Sequence, residues 1–215
     1  MATYESLIKI KGSVGDLVFY SLNGKNVVRK KSGFNQKAFK KDPSYEKVRQ
    51  NSSEFGHCSK AGKMIRSCIQ NYIKEAGDPL LYQRFAKLMT LIKDLDMVSE
   101  RGKRTVEKGL GTQEGVKLLK GFRFENIENI PPELTLYEEN ESRILKVGDE
   151  FSGDEIILVT LQPDFETYSA ASYEEKLRMR SDKEIHFKKH FEDQALLLYF
   201  VVVRKKEKII RMGFV

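Results

Sequence analysis

The chain has 215 residues, 40% hydrophobic and 32% charged, which at about 100–200 residues per domain allows one domain or two small ones and excludes disorder for the bulk of it. Its longest uncharged apolar run, residues 195–203, falls well short of the roughly 20 residues that a membrane-spanning helix needs. Net charge is +7 but unevenly held: residues 1–121 carry 24 Lys and Arg against 12 Asp and Glu, and residues 122–215 carry 14 against 19.

That split, +12 against −5, coincides with a change from helical to strand-like hydrophobic rhythm. Together they predict a basic hairpin-plus-helical domain over 1–121 and an acidic all-β domain over 122–215. In chain order, residues 6–11 read as a short strand, with Gly12 and Gly15 marking a tight connection after it. Residues 17–22 and 25–30 flank Asn23-Gly24, the pair that best tolerates the two positive φ angles of a type I′ hairpin turn. Asp42-Pro43 then opens a helix, the carboxylate capping free N–H groups and Pro fitting the first turn. Val48, Phe55, Gly62, Ile69 and Ala76 recur every seven residues, a seam that runs to Gly77 with a break expected near Gly56.

Asp78-Pro79 repeats the opening signal, and the next helix puts Leu81, Phe85, Leu88, Ile92 and Leu95 on one face. Two apolar helical faces joined by so short a turn predict an antiparallel pair. The small residues Ser52, Ser53, Gly56, Ser59, Ala61 and Gly62 read either as a docking surface or as a close helix–helix seam. The seam is the expectation, with Ser52, Gly56, Ser59 and Gly62 against the 81–95 helix and Phe55, Ile65 and Phe85 shielded from water.

Beyond Gly121, strands are expected at 122–127, 134–137, 143–147, 155–161, 184–187, 195–204 and 208–214, with a short helix at 173–180. Residues 195–203 are apolar on both faces and predict a central strand, which Lys205, Lys206 and Glu207 turn into an antiparallel partner. The fold class is therefore α+β: an N-terminal β-hairpin and antiparallel helical pair, then an antiparallel β-sandwich-like domain.

The chemistry-bearing residues are sparse. His57-Cys58 suggests a nucleophile and base, but helical neighbours point about 100° apart and do not face each other. Cys58 and Cys68, about 15 Å apart on a helix, are expected to be buried, reduced thiols. His186 and His190 have the spacing that chelates a metal on a helix but lie about 13 Å apart on a strand. Gly109, Gly111 and Gly115 miss the dinucleotide spacing. Asp149, Glu150, Asp154 and Glu155 lack the alternating ligands of a calcium loop. No catalytic residue, metal or cofactor is expected. One constellation stands out: Arg29, Lys30, Lys31, Lys37, Lys40 and Lys41 are interleaved with Phe34, Phe39 and Tyr45. Cations that neutralise an acidic partner, beside apolar rings, suit a protein interface. The same residues suit nucleic acid, where cations meet phosphates and rings stack on bases.

Gly12 to Tyr20, Asn23-Gly24-Lys25 and the helix carrying Arg49, Asn51, Glu54, Phe55 and Gly56, with Ser99, Glu100, Arg101 and Gly102 further on, resemble a family of small bacterial proteins. Its hallmarks are an N-terminal hairpin and an R-x-N-x-x-E-F-G-like helix. The resemblance covers about residues 8–125 and implies a non-catalytic accessory subunit, associated with the plug of the type 9 secretion translocon. Glu5, Lys9, Lys11 and Asp16 interrupt any secretory signal near Met1, so the cytoplasm is the expected compartment; a channel plug would act in the periplasm. The reading is an interaction protein with a protein partner in a larger complex, with nucleic-acid binding through 25–47 as the alternative.

Overall fold

Asn23 and Gly24 hold φ angles of 50° and 77° and close the expected hairpin, with β3 (Leu17–Leu22) and β4 (Lys25–Lys30) as its arms. β1 (Ala2–Thr3) and β2 (Gly12–Val14) complete a four-stranded antiparallel sheet in the order β1-β4-β3-β2. The strand expected over 6–11 is thus displaced to Gly12–Val14. A second tight turn at Gly15-Asp16, with Gly15 at φ 55°, sets Val14 opposite Leu17 and fixes that register. This computed structural model describes residues 1–6, 8–31, 36–131, 134–139, 142–148, 153–178, 184–191 and 196–215. The chain forms two compact units, Met1–Arg49 and Gln50–Val215.

In the first unit the sheet is followed by α1 (Gln36–Lys41) and a single 3₁₀ turn, Pro43–Tyr45. Asp42 accepts the Ser44 N–H at 2.9 Å, the cap that its pairing with Pro43 announces. α2 (Glu46–Cys68) begins there, crosses into the second unit, and breaks at Ile69 rather than at Gly56. α3 (Gln70–Ala76) resumes at once, and Gly77, left-handed at φ 70°, ends it. Asp78 then caps the turn into α4 (Leu81–Lys93) through the Leu80 N–H. Gly62 meets Phe85 and Met89, Cys58 meets Met89, and Glu54 meets Lys93, so α2 and α4 run antiparallel.

The face that α2 buries is only partly the predicted one. Gly62 and Ile65 are buried as expected, and Gly62 packs on Phe85 and Met89 of α4; Ser52 and Ser59 are exposed, Gly56 faces open space, and Phe55 is 61% exposed. Glu54, Cys58 and Ala61 carry the buried stripe to Ile65, at spacings of four, three and four. A carboxylate heads that stripe, and a hydrophobicity pattern assigns a carboxylate to the solvent side.

Two short helices follow, α5 (Val106–Leu110) and α6 (Gln113–Lys120), capped by the hydroxyls of Thr105 and Thr112. Gly109 and Gly115, which are no dinucleotide fingerprint, are crossing points. A Cβ on Gly109 would lie 2.0 Å from the Ile92 carbonyl oxygen, and one on Gly115 2.0 Å from that of Gly109.

Residues 122–127 form no strand. Phe122 sits edge-on to Phe85, and Phe124 edge-on to Phe200, so these rings fill the space between α4 and the sheet rather than join a ladder. β5 (Thr135–Glu139), β6 (Ser142–Lys146), β7 (Glu155–Asp164), β8 (Ser169–Arg178), β9 (Glu184–Lys188), β10 (Leu198–Lys205) and β11 (Lys208–Phe214) come next. They make two antiparallel sheets, β11-β10-β7-β8 and β5-β6-β9. Where a helix is expected over 173–180, β8 pairs with β7 along ten residues; a long ladder overrides the helix propensity of Glu, Lys, Leu and Arg.

β10 is central, as its two apolar faces require, and Lys206-Glu207, both at positive φ, turns it into β11. Leu145 and Phe187 of one sheet pack on Leu158 and Val201 of the other, which makes the sandwich. On its other face the four-stranded sheet packs Val159, Phe200 and Val202 against the cluster of Ile65, Phe85 and Met89. Buried residues from before and after Gly121 thus share one core. The fold is α+β, and among the described residues no helix is long and apolar enough to cross a membrane.

The glycines give a direct check. Gly109→Ala drives a methyl into a backbone oxygen and should cost about 1–3 kcal/mol or more. Gly56→Ala, in a helix with open space around it, should gain about 0.5–1 kcal/mol. Urea unfolding of the two variants beside the parent chain measures both.

Candidate functional site

The basic residues singled out in the sequence all belong to the first unit. Arg29 and Lys30 end β4, exposed and, as strand neighbours, on opposite faces of the sheet. Lys31 follows, exposed, its N–H donating to the Asp16 carbonyl at 2.6 Å. α1 brings Lys37, Lys40 and Lys41 to the surface and carries the half-buried Phe39; Phe34 lies outside the described residues. Phe39 sits edge-on to Tyr45 with ring centroids 6.0 Å apart. Arg49 donates from Nη1 to the carbonyls of Phe39, at 2.7 Å, and Asp42, at 3.0 Å, tying the end of α1 to the start of α2. Residues 1–49 hold 11 Lys and Arg against 4 Asp and Glu, whereas residues 50–215 hold 27 of each. The whole net charge of +7 therefore resides in the first unit.

The nucleophile candidates of the second unit are engaged elsewhere. The Val106 N–H donates to His57 Nε2 at 2.8 Å, so Nδ1 carries the proton and donates to the Tyr168 hydroxyl, also at 2.8 Å. Burial, with Lys60 nearby, holds the His57 pKa below its ordinary value. Cys58 is buried, its Sγ donating to the Met89 carbonyl, and burial pushes its pKa up, away from a thiolate. Cys58 and Cys68 are both free thiols, Cys68 only half-buried. His186 lies on β9, while His190 stacks on Tyr173 and contacts Glu175 through Nε2 at 3.2 Å. Of the acidic turn, Asp149 and Glu150 lie outside the described residues; Asp154 accepts the Lys206 N–H.

Hydrophobic patterning passes over a heavily bonded group, the carboxylate of Glu54. Only 3% exposed, it accepts from Lys93 Nζ at 2.7 Å, from Arg104 Nε and Nη2 at 2.8 Å each, and from the Gly102 N–H at 2.7 Å. Asp94 pairs with the same two cations. Next to them Asp96 accepts the N–H groups of Val98, Ser99 and Thr105. Arg101 donates to Asn51 at 3.0 Å. Gly102, at φ 93°, lies so close to Gln50 that a Cβ would come within 2.8 Å of its side chain. The residues that carry the resemblance, Asn51 and Glu54 on α2 and Arg101 and Gly102 in the 94–105 loop, thus meet in space.

The Arg104 guanidinium, helped by Lys93, holds the Glu54 carboxyl far below the usual carboxylate range against the cost of burial. At Asp96, burial pushes the pKa up, but the backbone N–H groups of Ser99, Thr105 and Val98 outweigh it and hold it at about 2. Glu54, Asp94, Lys93 and Arg104 are ion-paired with one another, and Asp96 is held by backbone N–H groups, an arrangement suited to pinning a loop to a helix. Comparison of the chain with protein families, with curated proteins and with solved structures finds no match.

Glu54→Gln leaves the buried Lys93 with Asp94 as its one remaining counter-charge and should destabilise the fold by about 3 kcal/mol, as read from urea unfolding. Both Glu54 and Asp96 have folded pKa values below their unfolded ones, so the unfolded chain binds more protons in acid. Their contribution is complete above the unfolded pKa of about 4 and is lost as pH falls toward 2; the urea midpoint should drop across that window.

Proposed function

We propose that the chain is a non-catalytic interaction protein whose basic unit, Met1–Arg49, docks on an acidic surface of a larger protein assembly. The concentration of the entire +7 charge in that unit, with Arg29, Lys30, Lys31, Lys40 and Lys41 exposed on it, carries the reading. Exposed Ile8, Val14, Leu17 and Leu22 in the same unit offer apolar contact beside the charges, the mixture that a protein interface uses. Opposite charge brings the partners together quickly, and the apolar contacts slow their separation.

A protein partner is favoured over nucleic acid because Phe39 and Tyr45 are half-buried and set edge-on to each other, which withholds ring faces from stacked bases. The commitment of His57, Cys58 and Glu54 to internal bonds supports a role without catalysis. The assembly that the resemblance implies, the type 9 secretion translocon, is the first place to look for the acidic surface.

Replacing Lys30, Lys31, Lys40 and Lys41 together with Ser should change stability by less than about 1 kcal/mol, because isolated surface charges contribute little. Gentle affinity purification from the cells that make the protein should recover a stoichiometric protein partner with the parent chain and none with the four-Ser variant. A partner retained by the variant, or a free monomer from both, would refute the docking role. A gel shift with DNA or RNA that fades steeply with salt, in place of a protein partner, would move the assignment to nucleic acid.

A further inference from the structure

Several cations of the second unit sit against carboxylates: Lys93 has Glu54 and Asp94, Arg104 has Glu54, and Arg84 has Asp78. Arg66 differs. Its guanidinium carbon lies over Tyr82, 4.7 Å from the ring centroid, and 5.3 Å from that of Phe85. Among the described residues no carboxylate pairs with it, and its Nε is buried with no hydrogen-bond acceptor. Burial pulls its pKa below the ordinary value, yet a guanidinium stays charged at neutral pH. A half-desolvated cation without a counter-ion is costly, and Gly62 helps to house it: a Cβ there would come within 3.1 Å of Nη1.

Arg66 also lines a cavity of about 330 Å³, within the roughly 300–1,000 Å³ typical of small-ligand sites. Ser59, Lys63 and Arg66 line one wall at spacings of four and three, a single stripe of α2; Ile73, Leu81 and Tyr82 supply apolar surface. Five N–H donors in a rigid fork, placed over aromatic rings, match the two oxygens of an oxyanion. A second cation at Lys63 and the hydroxyl of Ser59 stand on the same wall.

We propose that this cavity binds an oxyanion, carboxylate or phosphate, carried on a short apolar body: Arg66 grips the charged head, with Lys63 and Ser59 beside it, and Ile73, Leu81 and Tyr82 pack the tail. The site is separate from the basic first unit and stands whether or not that unit docks on a protein.

Calorimetric titration of the full chain with octanoate, octyl phosphate, octanol and octylammonium tests it. At least one of the two anions should bind with a dissociation constant below about 1 mM, and the stronger one identifies the head group. Octanol and octylammonium should bind at least about tenfold more weakly, because they offer the fork no oxyanion. Arg66→Gln should weaken the preferred anion by about tenfold or more, and Lys63→Gln by about threefold, as befits an exposed charge. Should Arg66→Gln fail to fold, Lys63→Glu at the exposed position takes its place, with a loss of about tenfold expected from charge reversal. No binding of either anion at about 5 mM, equal binding of octanol, or unchanged anion affinity in a folded Arg66→Gln chain overturns the proposal.

Discussion

The second unit depends on two neighbouring strands that have no solvent side. Along β10, Leu198, Phe200 and Val202 face the helices while Val201 and Val203 face the second sheet. β7 sorts its residues the same way, Ile157, Val159 and Leu161 to one core and Ile156 and Leu158 to the other. Register makes this work: Phe200 stands opposite Val159 and Val201 opposite Leu158, so each cross-strand pair delivers both members to the same core. A slip of one residue would exchange the two cores wholesale. The helices can therefore be laid down only in relation to this sheet, and Phe122 and Phe124 abandon a strand conformation to close the gap that remains.

A different kind of constraint orders the loop after α4. It has little apolar surface to bury, and Met97 and Val98 are left in solvent. Its position rests on polar bonds to Glu54 and Asp96. Breaking such a cluster costs more than forming it returns, which makes it a device for specifying one loop conformation rather than a reservoir of stability. His57 belongs to the same system, its Nε2 receiving the first N–H of α5, one that the Thr105 cap at Lys108 leaves open.

Local chemistry was legible in the sequence wherever a few adjacent residues decide the outcome. Asn23-Gly24 set both arms of the hairpin, Asp42-Pro43 and Asp78-Pro79 marked helix starts, and the unbroken apolar run of β10 announced a central strand. What the sequence hid depends on partners far along the chain. Glu54 is buried because Lys93 and Arg104 come to it, 39 and 50 residues away; without them the seven-residue spacing points to Phe55 instead. Residues 173–178 look helical until β7 is placed beside them. The role of His57 needs Val106 and Tyr168, 49 and 111 residues distant. The basic segment, by contrast, was visible as a cluster, but its confinement to a separate unit of 49 residues was masked by the larger basic stretch in which it sits.

One feature of the packing bears on how the chain is made. Tyr72 on α3 hydrogen-bonds Glu174, 102 residues later, and its ring lies beside Phe200 on the central strand. A ribosome releases the helical pair long before it releases the strand that covers its apolar face. At about 5–20 residues per second, the face formed by Ile65, Ile69, Tyr72 and Phe85 spends several seconds without its lid. During synthesis the nascent helices thus carry exposed apolar surface, and burial becomes complete only when β10 slots between β7 and β11.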